Sequence, residues 1–311
     1  MKVAALDLGS NTFLCLIADV ENQQIKKVYT DLVEVVRLGQ GLSQSKNFHP
    51  EALLRADQCL GRFAKEILNY KPEKVLAMAT SAARDAANQE EFFVICKKHD
   101  IPIEIIQGEK EAAITYQGAT SGLVPSQKNI LVVDIGGGST EFIFGKDQNI
   151  LSGESYNIGS VRLTEKFIFE QPTPKDQIEN ARDFINIHIE KAFRLMPNDF
   201  KIDEIIAVAG TPTALAAAHM GRFDPERVEG FVLTENDLQN WSERFSVASV
   251  QQKIEMGIPQ GRADVILIGA LILLQTLKKF KKQSMIVSTR GVRYGVALEI
   301  DRRYNLSTSG T

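Results

Sequence analysis

Three cysteines in 311 residues, Cys15, Cys59 and Cys96, lie too far apart for a paired-ligand pattern. That spacing fits reduced core thiols in a cytoplasmic protein better than a disulfide framework or a cysteine-held zinc site. Histidine is equally sparse: His49, His99, His188 and His219 show no metal-ligand spacing. The single tryptophan, Trp241, falls in an amphipathic pattern and reads as packing. An excess of positive charge is also missing, with 36 Lys and Arg against 39 acids and a net charge of −3. No general field therefore draws nucleic acid, although a local basic cleft for a smaller polyanion stays open. No run is long enough to span a bilayer; the most apolar stretch, Val265 to Leu274, reads as a buried helix. Met1 leads straight into Val3-Ala-Ala-Leu-Asp7, without the basic and apolar regions of a signal peptide, so no membrane role is expected. Low-complexity tracts are absent, and only the tail Ser307 to Thr311 is expected to be disordered.

What is present is a pattern that occurs twice. Val3–Leu8, Phe13–Val20 and Ile25–Val36 read as strands. Glu51–Tyr70 carries Leu53, Leu54, Leu60, Phe63, Ile67 and Leu68 at helical spacing, and Pro72 ends it. Strand Val75–Ala79, helix Ser81–His99, strand Ile103–Ile106 and helix Glu109–Gly122 complete an order βββαβαβα. After a connection containing Pro125 the order begins again: strands Ile130–Asp134, Glu141–Gly145 and Ile150–Ile158, then helices, strand Ile205–Ala209, helix Thr213–His219 and strand Met285–Val287. Two lobes, 1–124 and 125–311, follow from this, with the final helix a candidate to pack back on the first lobe. A duplication that regenerates one loop in each half predicts a cleft between pseudo-symmetric lobes.

The regenerated loops are Asp7-Leu-Gly-Ser-Asn-Thr12 and Asp134-Ile-Gly-Gly-Gly-Ser-Thr140, offset by 127 positions (134 − 7). Each places a carboxylate at a strand end, where it suits a divalent cation, before small residues whose backbone N–H groups suit a polyanion. Gly136, Gly137 and Gly138 let backbone approach a phosphate without Cβ interference. An ordinary hairpin turn is the competing account of either loop alone. The pair points to phosphoryl chemistry.

These loops, with Glu141 after the second, resemble the exopolyphosphatase and guanosine pentaphosphate phosphohydrolase family of the actin, Hsp70 and sugar kinase superfamily. Arg37-Leu-Gly-Gln-Gly41, Ala79-Thr-Ser-Ala-Ala-Arg84, Gly108-Glu-Lys-Glu-Ala112, Gly210-Thr-Pro-Thr213 and Arg262-Ala-Asp-Val265 extend the resemblance over essentially the whole chain. It implies an α/β fold of two ribonuclease-H-like lobes with an interlobe active-site cleft. It also implies a hydrolase that removes the terminal phosphate of inorganic polyphosphate or the 5′-phosphate of pppGpp, a stringent-response nucleotide, with Mg²⁺. By the same resemblance Glu111 is the base for water, and Glu141 holds metal or positions that water. Asp7, Asp134 and Glu141 are the metal carboxylates. Ser10, Asn11, Thr12, Arg84, Gly136, Gly137, Gly138, Ser139 and Thr140 contact substrate, with backbone N–H groups of 9–12 and 136–140 as donors. Arg37 is a further candidate of the same kind.

An exposed Glu111 has a pKa of roughly 4.3 and is ionised at neutral pH, as a base for water requires. Glu109 lies about 200° around the helix and faces elsewhere. For Arg84 the alternative is an ion pair with Asp85 or Glu90. For Lys278 to Lys282 it is cations at a helix C-terminus. Pro212, Thr289 and Tyr294 depart from the family pattern in segments that cradle a nucleotide base in the superfamily, so polyphosphate is expected to be preferred over pppGpp. The length implies a short form, without the C-terminal helical domain of the family's long members. A homodimer is left open. The rival functions are a phosphotransferase of the same superfamily and a non-enzymatic, ATP-binding actin-like protein.

Overall fold

The computed structural model describes residues 1–123 and 127–308, with the side chains of 306–308 outside the description. Pro125 and the tail from residue 309 therefore lie outside the described residues, and the backbone of the last helix reaches Thr308. The chain divides into two compact units, Met1–Leu123 with Arg290–Thr311, and Val124–Thr289.

The first unit begins with strands β1 (Lys2–Leu8), β2 (Thr12–Glu21) and β3 (Gln24–Val35), followed by the short helix α1 (Leu42–Ser45) and the long helix α2 (Pro50–Tyr70). Strand β4 (Lys74–Ala79), helices α3 (Ser81–Asp85) and α4 (Gln89–Lys98), strand β5 (Ile103–Ile105) and helix α5 (Gly108–Thr120) complete its N-terminal part. The sheet order is β3-β2-β1-β4-β5, with β1 antiparallel to β2 and parallel to β4. Alternation along β1 sends Ala4, Leu6 and Leu8 into one core with Phe63 and Phe92, and Val3 and Ala5 into another with Ile114 and Val296. A sheet covered on both faces reads as the near-continuous apolar run seen here.

In the second unit β6 (Asn129–Ile135), β7 (Thr140–Lys146) and β8 (Asn149–Tyr156) precede helices α6 (Ser160–Phe167) and α7 (Lys175–Arg194). Then come β9 (Glu204–Val208), α8 (Gly210–Met220), α9 (Pro225–Val228), β10 (Val232–Thr234), α10 (Glu235–Ser246), α11 (Val250–Glu255), α12 (Ile266–Phe280) and β11 (Ser284–Val287). Its sheet order, β10-β11-β9-β6-β7-β8, repeats the first sheet with β10 added at one edge. The apolar segment from Val265 is the buried helix α12, and Trp241 is buried on α10. Helix α13 (Val292–Thr308) belongs to the first unit, where Gly118 of α5 meets it so closely that a Cβ there would lie 2.1 Å from the Gly291 carbonyl oxygen. Among the described residues no helix is long and apolar enough to cross a membrane.

One element differs from the sequence reading. Ser81–His99 is two helices, because Ala86 turns extended (ψ 128°). The break is held from afar: Asn88 Oδ1 accepts the Phe48 N–H at 2.7 Å, and the Ala87 N–H reaches the Lys46 carbonyl at 2.8 Å.

Candidate active site

Both loops join antiparallel strands at the same place. Asp7 stands opposite Leu14 across β1 and β2, and Asp134 opposite Glu141 across β6 and β7. Each loop closes on itself with the same bond, Gly9 N–H to the Thr12 carbonyl at 3.1 Å and Gly136 N–H to the Ser139 carbonyl at 3.0 Å. Those two N–H groups are thus engaged within their own loops.

The remaining peptide planes have their carbonyls tied back. In the first loop the Ser10 carbonyl accepts from Gly39 N–H at 2.8 Å, and the Asn11 carbonyl from Val36 and Arg37 N–H, both at 2.9 Å. In the second, the carbonyls of Gly136, Gly137 and Gly138 all accept from the segment Gly159–Arg162. The C=O of one residue and the N–H of the next point in opposite directions across a planar trans peptide. The N–H groups of Asn11, Gly137, Gly138 and Ser139 accordingly face away from these anchors, and among the described residues they donate to no protein acceptor. Within the second loop, the row of N–H groups from Gly137 to Ser139 has the form of an anion-binding concavity.

Side chains divide differently. Ser10 Oγ is buried against Ser81 Oγ at 2.9 Å, and Thr140 Oγ1 donates to the Ile158 carbonyl at 2.9 Å, so these hydroxyls brace the loops. Asn11 Oδ1 is a buried acceptor without a hydrogen-bond partner among the described residues. Asp134 and Glu141 are 6% and 1% exposed, and Ser155, opposite Glu141 on β8, donates to Glu141 Oε1 at 2.6 Å. Two carboxylates directly opposite across a ladder repel one another unless a cation or a proton intervenes. Among the described residues no group of three or more His, Cys, Asp or Glu side chains could hold a metal ion. The pair nevertheless suits Mg²⁺, which commonly takes one or two carboxylates together with waters and substrate phosphates.

Glu111 differs most from its sequence reading. It lies on the first turn of α5, yet it is 5% exposed. Glu109, two residues earlier, faces solvent. Arg84, at the end of α3, donates through Nη1 to the Ile106 carbonyl at 2.6 Å and to Glu111 Oε2 at 2.7 Å. Its ion-pair partner is Glu111, in place of Asp85 or Glu90. Burial raises the Glu111 pKa above the ordinary carboxylate value, and the Arg84 guanidinium opposes that rise. The expectation of an exposed, ordinary carboxylate is therefore corrected.

Two arginines gain roles that the sequence did not single out. Arg162 donates through Nε to the Gly138 carbonyl at 2.7 Å. Arg293, buried on α13, grips Asp31 through Nε at 2.6 Å and Nη2 at 2.7 Å, and the field of Asp7 acts on it as well. The only signal in the sequence was an arginine just inside a helix start in each case. Arg37 has a left-handed φ of 55°, and its carbonyl accepts from Arg55 Nη2 at 3.3 Å. Gly210 begins α8 beneath the Arg262 guanidinium, where a Cβ would lie 1.8 Å from Cζ.

Comparison with known proteins bears on this arrangement. A profile of the Ppx/GppA phosphatase family matches residues 16–303. The bifunctional 3-dehydroquinate synthase/phosphatase of Fusobacterium nucleatum is 36% identical over 310 residues, covering 95% of this chain and 46% of that protein. The chain thus spans about half the length of that relative. Exopolyphosphatase 2 of Mycobacterium tuberculosis is 31% identical, covering 96% of this chain and 98% of that protein. The crystal structure of the Aquifex aeolicus Ppx/GppA family member has a TM-score of 0.81 and 30% identity, covering 98% of this chain and 99% of that one.

Proposed function

Because the chain belongs to the Ppx/GppA phosphatase family, we propose that it hydrolyses the terminal phosphoanhydride bond of inorganic polyphosphate. The observation that carries this reading is the two loops whose carbonyls are tied back and whose Asn11, Gly137, Gly138 and Ser139 N–H groups are left for an anion. Phosphoryl transfer needs positioning and charge neutralisation more than covalent participation, and such loops supply the first.

Glu111 is the proposed base. It accepts a proton from water as the water oxygen bonds to the terminal phosphorus, the bridging P–O bond breaks, and the shortened chain leaves with that bond's electron pair. Burial beside Arg84 holds the carboxylate in one orientation and makes its basicity depend on that arginine. Asp134 and Glu141 would hold Mg²⁺, which when bound supplies positive charge for the phosphate oxygens. The N–H groups of Asn11 and of Gly137 to Ser139 are the proposed donors to phosphate oxygens.

The proposed preference for polyphosphate over pppGpp draws support from the segment after β11. Thr289 donates its N–H at 2.6 Å and its hydroxyl at 2.7 Å to Glu229, which also accepts from Ser288 Oγ at 3.0 Å. Glu229, a carboxylate able to accept from a guanine edge, is already engaged by its own chain. Phosphate release from tripolyphosphate, long polyphosphate, pppGpp and ATP at one ionic strength tests the proposal. The expected order of kcat/KM places the polyphosphates first, and Glu111→Gln lowers turnover by roughly 10² to 10⁴. A folded Glu111→Gln variant with near-normal turnover removes Glu111 as the base. A pppGpp value well above the others reverses the preference.

A further inference from the structure

The Gly136–Ser139 loop contains three glycines with wide conformational freedom, so something else must hold its peptide planes in one orientation. The structure distributes that task over one segment. Ser160 donates to the Gly136 carbonyl through N–H at 2.9 Å and through Oγ at 3.2 Å. The N–H groups of Val161 and Arg162 donate to the Gly137 carbonyl at 2.9 and 3.0 Å. The first two planes are therefore each held by two donors, at least one of them a short backbone N–H.

The third plane is different. Among the described residues the one backbone donor to the Gly138 carbonyl is Gly159 N–H, at the long distance of 3.3 Å, whereas Arg162 Nε approaches it to 2.7 Å. A charged donor at this distance makes the stronger bond. Gly159 is pressed against the same loop: a Cβ there would lie 2.3 Å from the Gly137 carbonyl oxygen. The plane held by Arg162 carries the Ser139 N–H, the last donor in the row.

We propose that Arg162 is a positioning residue for the bound phosphate chain, setting the direction of the Ser139 N–H by holding the Gly138 carbonyl. This rests on the hydrolase reading of the loop, but its consequence for anion binding is measured separately. Without the Nε bond the Gly138–Ser139 plane is held only by the long Gly159 bond, and phosphate then loses a firmly prealigned donor. Substrate affinity carries the effect, because the ground state and the transition state both use this N–H.

The test compares Arg162→Met and Arg162→Lys with the unaltered chain. Steady-state phosphate release from tripolyphosphate gives kcat and KM, calorimetry gives the Kd for inorganic phosphate, and thermal unfolding gives Tm. In Arg162→Met, KM and the phosphate Kd are expected to rise about tenfold, as suits loss of one charge-assisted hydrogen bond. Guanidinium ion at millimolar concentration is expected to restore part of the loss. Arg162→Lys, which keeps the charge but lacks the fork, should fall near Arg162→Met and resist rescue. If Arg162→Met does not fold, Arg162→Lys carries the same comparison. Unchanged KM and Kd in a folded variant, or a loss of activity that follows Tm alone, overturns the proposal. If the unaltered chain releases no phosphate while Arg162→Met still weakens phosphate binding, the hydrolase reading fails and the positioning role stands.

Discussion

Replacing Arg84 with Met should raise the pKa of the proposed base further, because the guanidinium opposes the rise that burial causes. The pair is well shielded, with side-chain exposures of 16% for Arg84 and 7% for Glu111, so solvent screening does little to soften its loss. Removing one partner of a buried ion pair leaves an uncompensated charge that costs about 3–5 kcal/mol. Glu111 escapes most of that cost by taking a proton. At 1.36 kcal/mol per tenfold change in the ionised fraction, kcat on the acid side of its pH limb should fall by roughly 10² or more. Burial already raises the Glu111 pKa in the unaltered protein, so kcat should climb with pH along a limb above the ordinary value of 4.5. In Arg84→Met that limb should move to still higher pH, with turnover recovering toward alkaline conditions. Arg84→Lys should lie between the two, because it keeps the charge but loses the two-pronged geometry. The assay is kcat and KM for tripolyphosphate from pH 5 to 9 at constant ionic strength. An Arg84→Met variant whose KM rises while its kcat limb stays in place would refute the reasoning and make Arg84 a phosphate ligand only.

Stability measurements separate the same groups. A folded-state carboxyl pKa above the unfolded value gives stability that is present below about pH 4.5 and lost as pH rises through the folded pKa. Glu111→Gln should therefore flatten that decline in urea unfolding, and an unchanged slope would contradict the burial argument. Asp134→Asn should raise the Mg²⁺ concentration needed for half-maximal activity, with partial recovery at high Mg²⁺, because hard cations prefer carboxylate oxygen. An unchanged metal titration would leave Asp134 a turn residue. Lys253 is buried on α11, donates to Gln171 Oε1 at 2.5 Å and has a pKa lowered from 10.5 to about 8, chiefly by burial. The unfolded chain binds the extra proton between those values, so stability should rise from about pH 8 to pH 10.5. Lys253→Met should abolish that rise, and its persistence in the variant would assign the slope to another group.

The sequence by itself was enough for features that depend on near neighbours. Strand alternation in Val3–Leu8 and Ile130–Asp134, the loops at Asp7 and Asp134, and their offset of 127 are written in short segments whose physics is local. The repeated sheet order follows from those patterns, and so does the duplicated loop. Tertiary structure alone decided what lies behind each loop. The Glu111 carboxylate is buried because α5 starts beside the end of β5, where Arg84 arrives from 27 residues away. The helical period across Ser81–His99 continues in sequence, yet Asn88 leaves the helix because Phe48, 40 residues away, satisfies its side chain. Arg162 reads as one of 36 Lys and Arg until folding carries its Nε to the Gly138 carbonyl. In each case the partner that sets the chemistry is distant along the chain. Periodicity reports which face of an element is apolar, whereas the state of a buried charge depends on which group packs against it.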